Sequence, residues 1–266
     1  PAGADAVVMQ ENCAEVEGVV RVRGPVMAGQ NIRYRGQDIK SGDTVLTKGR
    51  IVRPQDVGML ASIGLSRTEV YRPLRVAVLS TGDELFEPGS GELPEGGIYN
   101  SNRYTLAGLL RNLHMEFIDC GIVADDADAT AQALLHASEL ADCVITTGGV
   151  SVGEEDHVKA QVQRLGRLDL WKLAIKPGKP LAFGSIDNTA FIGLPGNPTS
   201  VFVTFCLIAR PFLLKMQGVA ESDLPHLRAM ATFSVGKPSG RQDYLRVVVE
   251  NTAQGLLAKK FSNQSS

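Results

Sequence analysis

The chain carries no excess of either charge. Its 27 Lys and Arg residues face 29 Asp and Glu, for a net charge of −2. Nothing in that balance suggests a footprint for non-specific binding to nucleic acid or to an anionic membrane. Long apolar runs are scarce. The longest, Val201 to Leu214, is broken by Arg210 and Pro211 and reads as too short to span a bilayer. No signal peptide or lipidation motif stands out. Cysteine occurs only at 13, 120, 143 and 206, with no Cys-x-x-Cys pair, which argues against a thiolate metal site or a redox motif. Three of the four lie in apolar segments, as expected for reduced thiols of a cytoplasmic protein. Internal repeats and low-complexity tracts are also missing.

What is present is an ordinary globular balance, 44% apolar and 21% charged over 266 residues. That is enough for one large domain or a core domain with smaller attachments. Residues 1–72 read as a β-rich module: short alternating runs (ADAVVMQE, GVVRVRGPV), Gly/Asp turns, and one helix opened by Pro54 with Val57, Leu60 and Ala61 on one face. From 73 to 219 the texture is α/β. RVAVLS (75–80), EFIDCGIV (116–123), CVITT (143–147), WKLAIK (171–176), KPLAFG and TAFIGL read as strands. Between them lie a helix capped by Asn100 or Ser101, an Ala/Leu-rich helix over 127–140 and a helix from about Glu154; a long apolar helix from NPTSV to Gly218 follows TAFIGL. Strands alternating with helices predict a mostly parallel sheet with helices on both faces. Residues 220–266 turn β again, in LRAMATFSV, YLRVVVEN and GLLAKKF, as an incomplete C-terminal β domain. The first residue is Pro1 and the last stretch is the polar FSNQSS, so the expectation is a piece of a longer chain.

In open α/β sheets, ligands bind beyond the carboxyl ends of the strands. The loops expected there are STGDEL (80–85), ADDAD (124–128), TTGGVSVGEED (146–156), IKPGKP (175–180) and GLPGNP (193–198). Taken singly, each is ordinary. Acids in a first helical turn complement the helix dipole, Pro-Gly pairs make turns, and a lysine on a strand is usually solvated. His157 reads as a surface residue. Together, carboxylates beside a Gly-Gly turn that exposes backbone amides, with lysines nearby, point to an anionic ligand accompanied by a divalent cation. Oxygen ligands without a Cys/His cluster favour Mg²⁺ over zinc.

PAGADAVVMQE, STGDEL, IYNSNR, TTGGVSVGEEDH, KLAIKPGKP and LPGNPTS together resemble the molybdopterin molybdenumtransferase family, which includes bacterial MoeA and the E domain of gephyrin. The resemblance implies a cytoplasmic homodimer that takes adenylyl-molybdopterin and molybdate, uses Mg²⁺ and releases AMP. It also implies contact with the molybdopterin adenylyltransferase, and no nucleic-acid or membrane partner. Carried over by position, Asp83, Glu84, Asp125 and Asp156 would be the metal carboxylates, the last three also catalytic. Gly148, Gly149 and Ser151 would cradle the pterin phosphate. Lys172 and Lys176 would bind molybdate or stabilise developing charge. Lys179, Asn197, Arg241 and Ser265 complete the expected substrate contacts. Family members also carry Asp-Gly-Tyr and Met-Thr-Gly-Ala-Pro segments ahead of the point where this sequence starts. Two other readings share the motifs: an adenylyltransferase using ATP, and a non-catalytic gephyrin-like scaffold.

Overall fold

Two stretches of chain cluster separately in the computed structural model, which describes residues 3–150, 157–236 and 240–264. One unit comprises Pro1–Lys48 and Val52–Ser66, the other Gly49–Ile51 and Arg67–Ser266.

The first unit is loop-rich. Its β1 (Cys13–Val16) and β2 (Val19–Val22) form an antiparallel hairpin. The two-residue turn, Glu17 and Gly18 at φ 53° and 75°, has the twist that suits tight hairpins. The ADAVVMQE run is not a strand. Its Val7 is tied to a loop instead, donating to the Gln30 carbonyl at 2.9 Å and accepting from the Asn31 amide at 2.9 Å. Helix α1 (Pro54–Ser62) begins at Pro54 as expected. Its buried residue, however, is Asp56, which accepts from the Arg53 backbone at 3.0 Å, while Val57 is 56% exposed.

The second unit is built on β3 (Arg75–Thr81), whose residues from Val76 onward are all buried. A strand covered on both faces needs apolar residues at every position, and the alternation is literal. Val76 and Val78 enter one core, with Leu106, Leu110, Val201, Phe205 and Leu213. Ala77 and Leu79 enter the other, with Leu134, Ala137, Val158 and Val162. After β3 come β4 (Leu85–Phe86), β5 (Ile98–Tyr99), α2 (Ser101–Asn112), β6 (Glu116–Val123), α3 (Ala127–Leu140), β7 (Cys143–Thr147), α4 (His157–Leu165) and β8 (Gly166–Lys172). Then follow β9 (Ile175–Lys176), β10 (Pro180–Ile186), β11 (Thr189–Leu194) and an apolar helix over 198–216. The main sheet runs β6-β3-β7-β11-β10-β8. Pairs β3–β6, β3–β7 and β7–β11 are parallel, while β10 is antiparallel to both neighbours. The mostly parallel sheet with helices on both faces is therefore as the sequence indicates. The start expected for α4 near Glu154 lies outside the described residues.

One strand differs. The alternation of Trp171, Leu173 and Ile175 suggested a strand over 171–176, but β8 ends at Lys172. There the Leu173 N–H bonds the Lys179 carbonyl at 2.9 Å, closing a turn, and the two residues of β9 pair with β13 (Gln242–Asp243) instead. A local period of two does not reveal which partner a strand will find.

The helix over 198–216 consists of α5 (Pro198–Thr204), a π segment (Phe205–Ala209) and α6 (Arg210–Met216). Pro211 has no N–H for the ladder, and the Arg210 N–H reaches back to the Phe205 carbonyl, widening the turn. At 19 residues and mean hydropathy 1.5 this helix is long and apolar enough to cross a membrane by composition. The expectation of a run too short to span a bilayer is corrected, because the helix extends beyond Val201 to Leu214 at both ends. Its Val201, Phe205, Ala209 and Leu213 are nevertheless core residues against the sheet. C-terminal to it, β12 (Met230–Ala231), β15 (Gly255–Lys260) and β14 (Val247–Thr252) form a small sheet in that order.

Candidate functional site

Register fixes which loops are neighbours. Thr81 pairs with Val123, Ser80 and Leu194 both pair with Thr147, and Pro180 pairs with Lys172. The carboxyl ends of β6, β3, β7, β11 and β8, and the start of β10, therefore lie along one rim. In sheet order the rim carries Asp125, then Asp83 and Glu84, then Gly148 and Gly149, then Asn197, then Lys179, then Lys172. Neighbouring strands are about 4.8 Å apart, so this row is roughly 24 Å long. Acids and lysines share an edge but occupy opposite ends of it. A ligand that met both ends would have to be extended.

The acidic end is organised by the backbone. Asp83 Oδ1 accepts the Asp125 N–H at 3.0 Å, joining the STGDEL and ADDAD loops. The Glu84 carboxylate folds back to within 2.7 Å of where a Cβ on Gly82 would stand. Asp126 is a helix cap, accepting from the Asp128 and Ala129 N–H groups at 3.0 and 2.8 Å. Asp83, Glu84 and Asp125 are exposed. Asp156 and Ser151 lie outside the described residues, as does Ser265.

In the middle, Gly148 and Gly149 adopt φ 86° and 62°. A Cβ on Gly148 would sit 2.5 Å from the Thr81 carbonyl oxygen, and one on Gly149 would be 2.8 Å from Thr81 Oγ1 and overlap Val158. Only glycine fits the turn. Gly148 spends its N–H on the Leu194 carbonyl at 3.3 Å, and no backbone acceptor takes the Gly149 or Val150 N–H among the described residues. Asn197 is spent as a helix cap, accepting from the Ser200 N–H at 3.2 Å.

At the basic end an open cleft of about 900 Å³ brings together Lys176, Lys179 and Arg241 with Arg246, Lys260 and Gln264. The C-terminal segment is fastened to the IKPGKP loop. Gln242 N–H reaches the Ala174 carbonyl at 2.8 Å and Tyr244 N–H the Lys176 carbonyl at 2.7 Å. Lys172 ends β8 but does not line the cleft.

Several residues were missed by reading the sequence. The Thr81 hydroxyl is buried against the glycine turn with no hydrogen-bond partner among the described residues. Asn102 donates to the Gly196 carbonyl at 2.6 Å, leaving its Oδ1 unpaired. Beneath the rim the Ser80 and Thr147 hydroxyls share a 3.0 Å hydrogen bond, and Asn100 Nδ2 donates to Ser80 at 3.1 Å. The available signal was that two apolar strands end in hydroxyl pairs, Ser80-Thr81 and Thr146-Thr147. Away from the rim the thiols of Cys143, Cys120 and Cys206 are free, and burial pushes each above its ordinary value.

A family model described as "Probable molybdopterin binding domain" matches residues 77–215, over half of the chain, and another, "MoeA N-terminal region (domain I and II)", matches residues 1–64. The chain belongs to the MoeA family. It is 45% identical over 259 residues to the molybdopterin molybdenumtransferase of Haemophilus influenzae, covering 97% of this chain and 64% of that protein. Molybdopterin molybdenumtransferase 2 of Mycobacterium tuberculosis is 34% identical, over 97% of this chain and 65% of its own length. A crystal structure of a MoeA protein from Pyrococcus horikoshii OT3 superposes with a TM-score of 0.80 at 32% identity, covering 100% of this chain and 64% of that one. The chain thus spans just under two thirds of the length of these MoeA relatives.

Proposed function

We propose that this chain carries the molybdate-insertion step of molybdenum cofactor biosynthesis: adenylyl-molybdopterin and molybdate enter, and AMP leaves as molybdenum joins the dithiolene. The observation that carries this reading is the polarity of the rim, with carboxylates at one end, a glycine turn at its centre and a basic cleft at the other. An extended substrate with a phosphoanhydride at one end and an oxyanion-accepting dithiolene farther along suits that order. The Gly149 and Val150 amides would take the pterin phosphate, with Ser151 beside them. Lys176, Lys179 and Arg241 would hold molybdate, and Lys172 and Ser265 remain assigned to the same ligand by resemblance alone.

Mg²⁺ fits the donor set at the acidic end. Among the described residues no three His, Cys, Asp or Glu side chains form a preformed cage, and Mg²⁺ is ordinarily held by one or two carboxylates, waters and substrate phosphates. Asp83, Glu84, Asp125 and Asp156 are the carboxylates assigned to it. Bound there, the ion would offset the charge of the phosphoanhydride as AMP departs. We further assign the enzyme to the cytoplasm as a homodimer that receives its substrate from the adenylyltransferase, with 1–72 and 220–266 as accessory β-rich parts.

The test is AMP release by the full-length protein. It should require molybdate, consume no ATP, and fall sharply in Glu84→Gln and Asp156→Ala. ATP consumption without molybdate would instead identify an adenylyltransferase, and wild-type rates in both variants would refute the acidic-end assignment. A protein that binds no pterin nucleotide at millimolar Mg²⁺ would be a scaffold.

A further inference from the structure

The segment that leaves β3 carries Asp83 and Glu84 and then makes a long excursion before returning at Asn100. Its main-chain anchors are few. Ile98 N–H bonds the Glu84 carbonyl at 2.8 Å, and Asn100 N–H bonds the Phe86 carbonyl at 2.9 Å. Besides the Asp83–Asp125 hydrogen bond, its side-chain anchor is Arg103, in the first turn of α2. Its Nη2 lies 2.7 Å from Glu87 Oε2 and its Nη1 lies 3.4 Å from Asp119 Oδ1 on β6, with only 16% of the side chain exposed. The Tyr104 hydroxyl, 3.3 Å from the same Nη2, also reaches Glu87 Oε2 at 3.4 Å. The other oxygen, Glu87 Oε1, is buried without a partner among the described residues. Glu87 therefore depends on Arg103 for charge compensation. One guanidinium fork ties together the two segments that lead to the acids: Glu87 follows Glu84 on the excursion, and Asp119 lies on β6, the strand that runs into the loop carrying Asp125.

We propose that Arg103 is a positioning residue for the acidic end of the rim, setting the separation of the Glu84 and Asp125 loops at which a divalent cation is held. This rests on the assignment of the cation to those carboxylates. Two effects of deleting the guanidinium oppose each other. Removing a nearby positive charge tightens cation binding, about twofold once solvent screening is counted. Releasing Glu87 loosens the arm, and loss of a group that orients metal ligands typically costs about tenfold or more in metal affinity. The proposal requires the second to win. A lysine keeps the charge but cannot make both contacts at once, because it lacks the planar fork.

The test is Mn²⁺ binding to the full-length protein in the presence of AMP, read by electron paramagnetic resonance of the free ion. Binding should be lost in Glu84→Gln, weakened about tenfold in Arg103→Gln and intermediate in Arg103→Lys. Glu87→Gln, which breaks the clamp from the opposite side, should weaken it several-fold and guards against a folding defect in the arginine variants. Wild-type or tighter binding in Arg103→Gln overturns the proposal while leaving the carboxylate assignment intact. So does wild-type binding in Glu87→Gln if Arg103→Gln does not fold. Absence of Mn²⁺ binding by the wild type overturns both.

Discussion

The two ends of the rim are built differently. At the acidic end each carboxylate-bearing loop follows a parallel strand, and the protein itself holds the loops: Asp83 takes the Asp125 amide, and Arg103 clamps the excursion to β6. At the basic end the sheet turns antiparallel, and the cleft is closed by the C-terminal segment zipped onto β9. Lys176, Lys179 and Lys260 have no acidic partner among the described residues. The difference teaches a division of labour. Geometry is supplied in advance at the acidic end, whereas the ammonium groups of the basic end are left exposed, an arrangement that suits the proposed alignment of a metal and a phosphoanhydride at one end and capture of an oxyanion at the other.

That contrast can be broken first at its hinge. Gly149→Val puts a branched side chain where Val158 and Thr81 already stand and forces a positive φ on a β-branched residue. The expected result is loss of pterin-nucleotide binding at both ends together with a lowered melting temperature, checked by calorimetry. Next in size, Glu84→Gln should cut AMP release about a hundredfold or more while molybdate affinity stays unchanged, checked by steady-state kinetics and equilibrium dialysis. Lys176→Ala should do the converse, raising the molybdate KM about tenfold with little change in Mn²⁺ affinity. If Glu84→Gln and Lys176→Ala each damaged both ligands equally, the two ends would not be separate.

The smallest expected effect tests a control region at the opposite edge of the sheet. Arg72 grips Asp142 with two 2.7 Å contacts, and the Arg75 N–H adds a third at 2.8 Å. These hold the Asp142 carboxyl well below the usual carboxylate range, Arg72 being the largest cause. A depressed folded value means the stabilisation is fully present above the unfolded carboxylate value, about 3.9, and is lost as pH falls toward the folded one. Asp142→Asn should lower the melting temperature by about 3 °C at pH 7 and by less near pH 3, with catalytic constants untouched.

Much of the α/β unit was legible because its central strands are covered on both faces. Where every position is buried, a run such as CVITT marks its own ends at 143–147, while the edge strand β6 (116–123) is betrayed by Phe117, Ile118, Ile122 and Val123 and α3 (127–140) by its Ala/Leu stripe. Legibility failed where burial is thin, as in ADAVVMQE, or where a strand's partner is remote, as at Ile175–Lys176. The candidate site follows the same rule. Carboxylates and lysines announce themselves by type, and the backbone does bring Asp83 to Asp125. Thr81 packs against a glycine turn, and Asn102 and Arg103 bond partners, that lie well along the chain, so nothing in their local spelling marks them. Nor could the distance from acids to lysines be read, because strand order, which sets it, is a property of the closed sheet and not of the order in which loops are written.

The widened turn at Phe205–Ala209 makes the last helix of the α/β unit two screws joined out of phase. Thr199, Phe202 and Val203, before the joint, face the cleft, and Leu213 and Leu214, after it, are locked in the core. Straightening the joint to a uniform α pitch with every residue kept would rotate the leading half by about 100° relative to the trailing half. The cleft would then lose one wall without any lining residue having been altered.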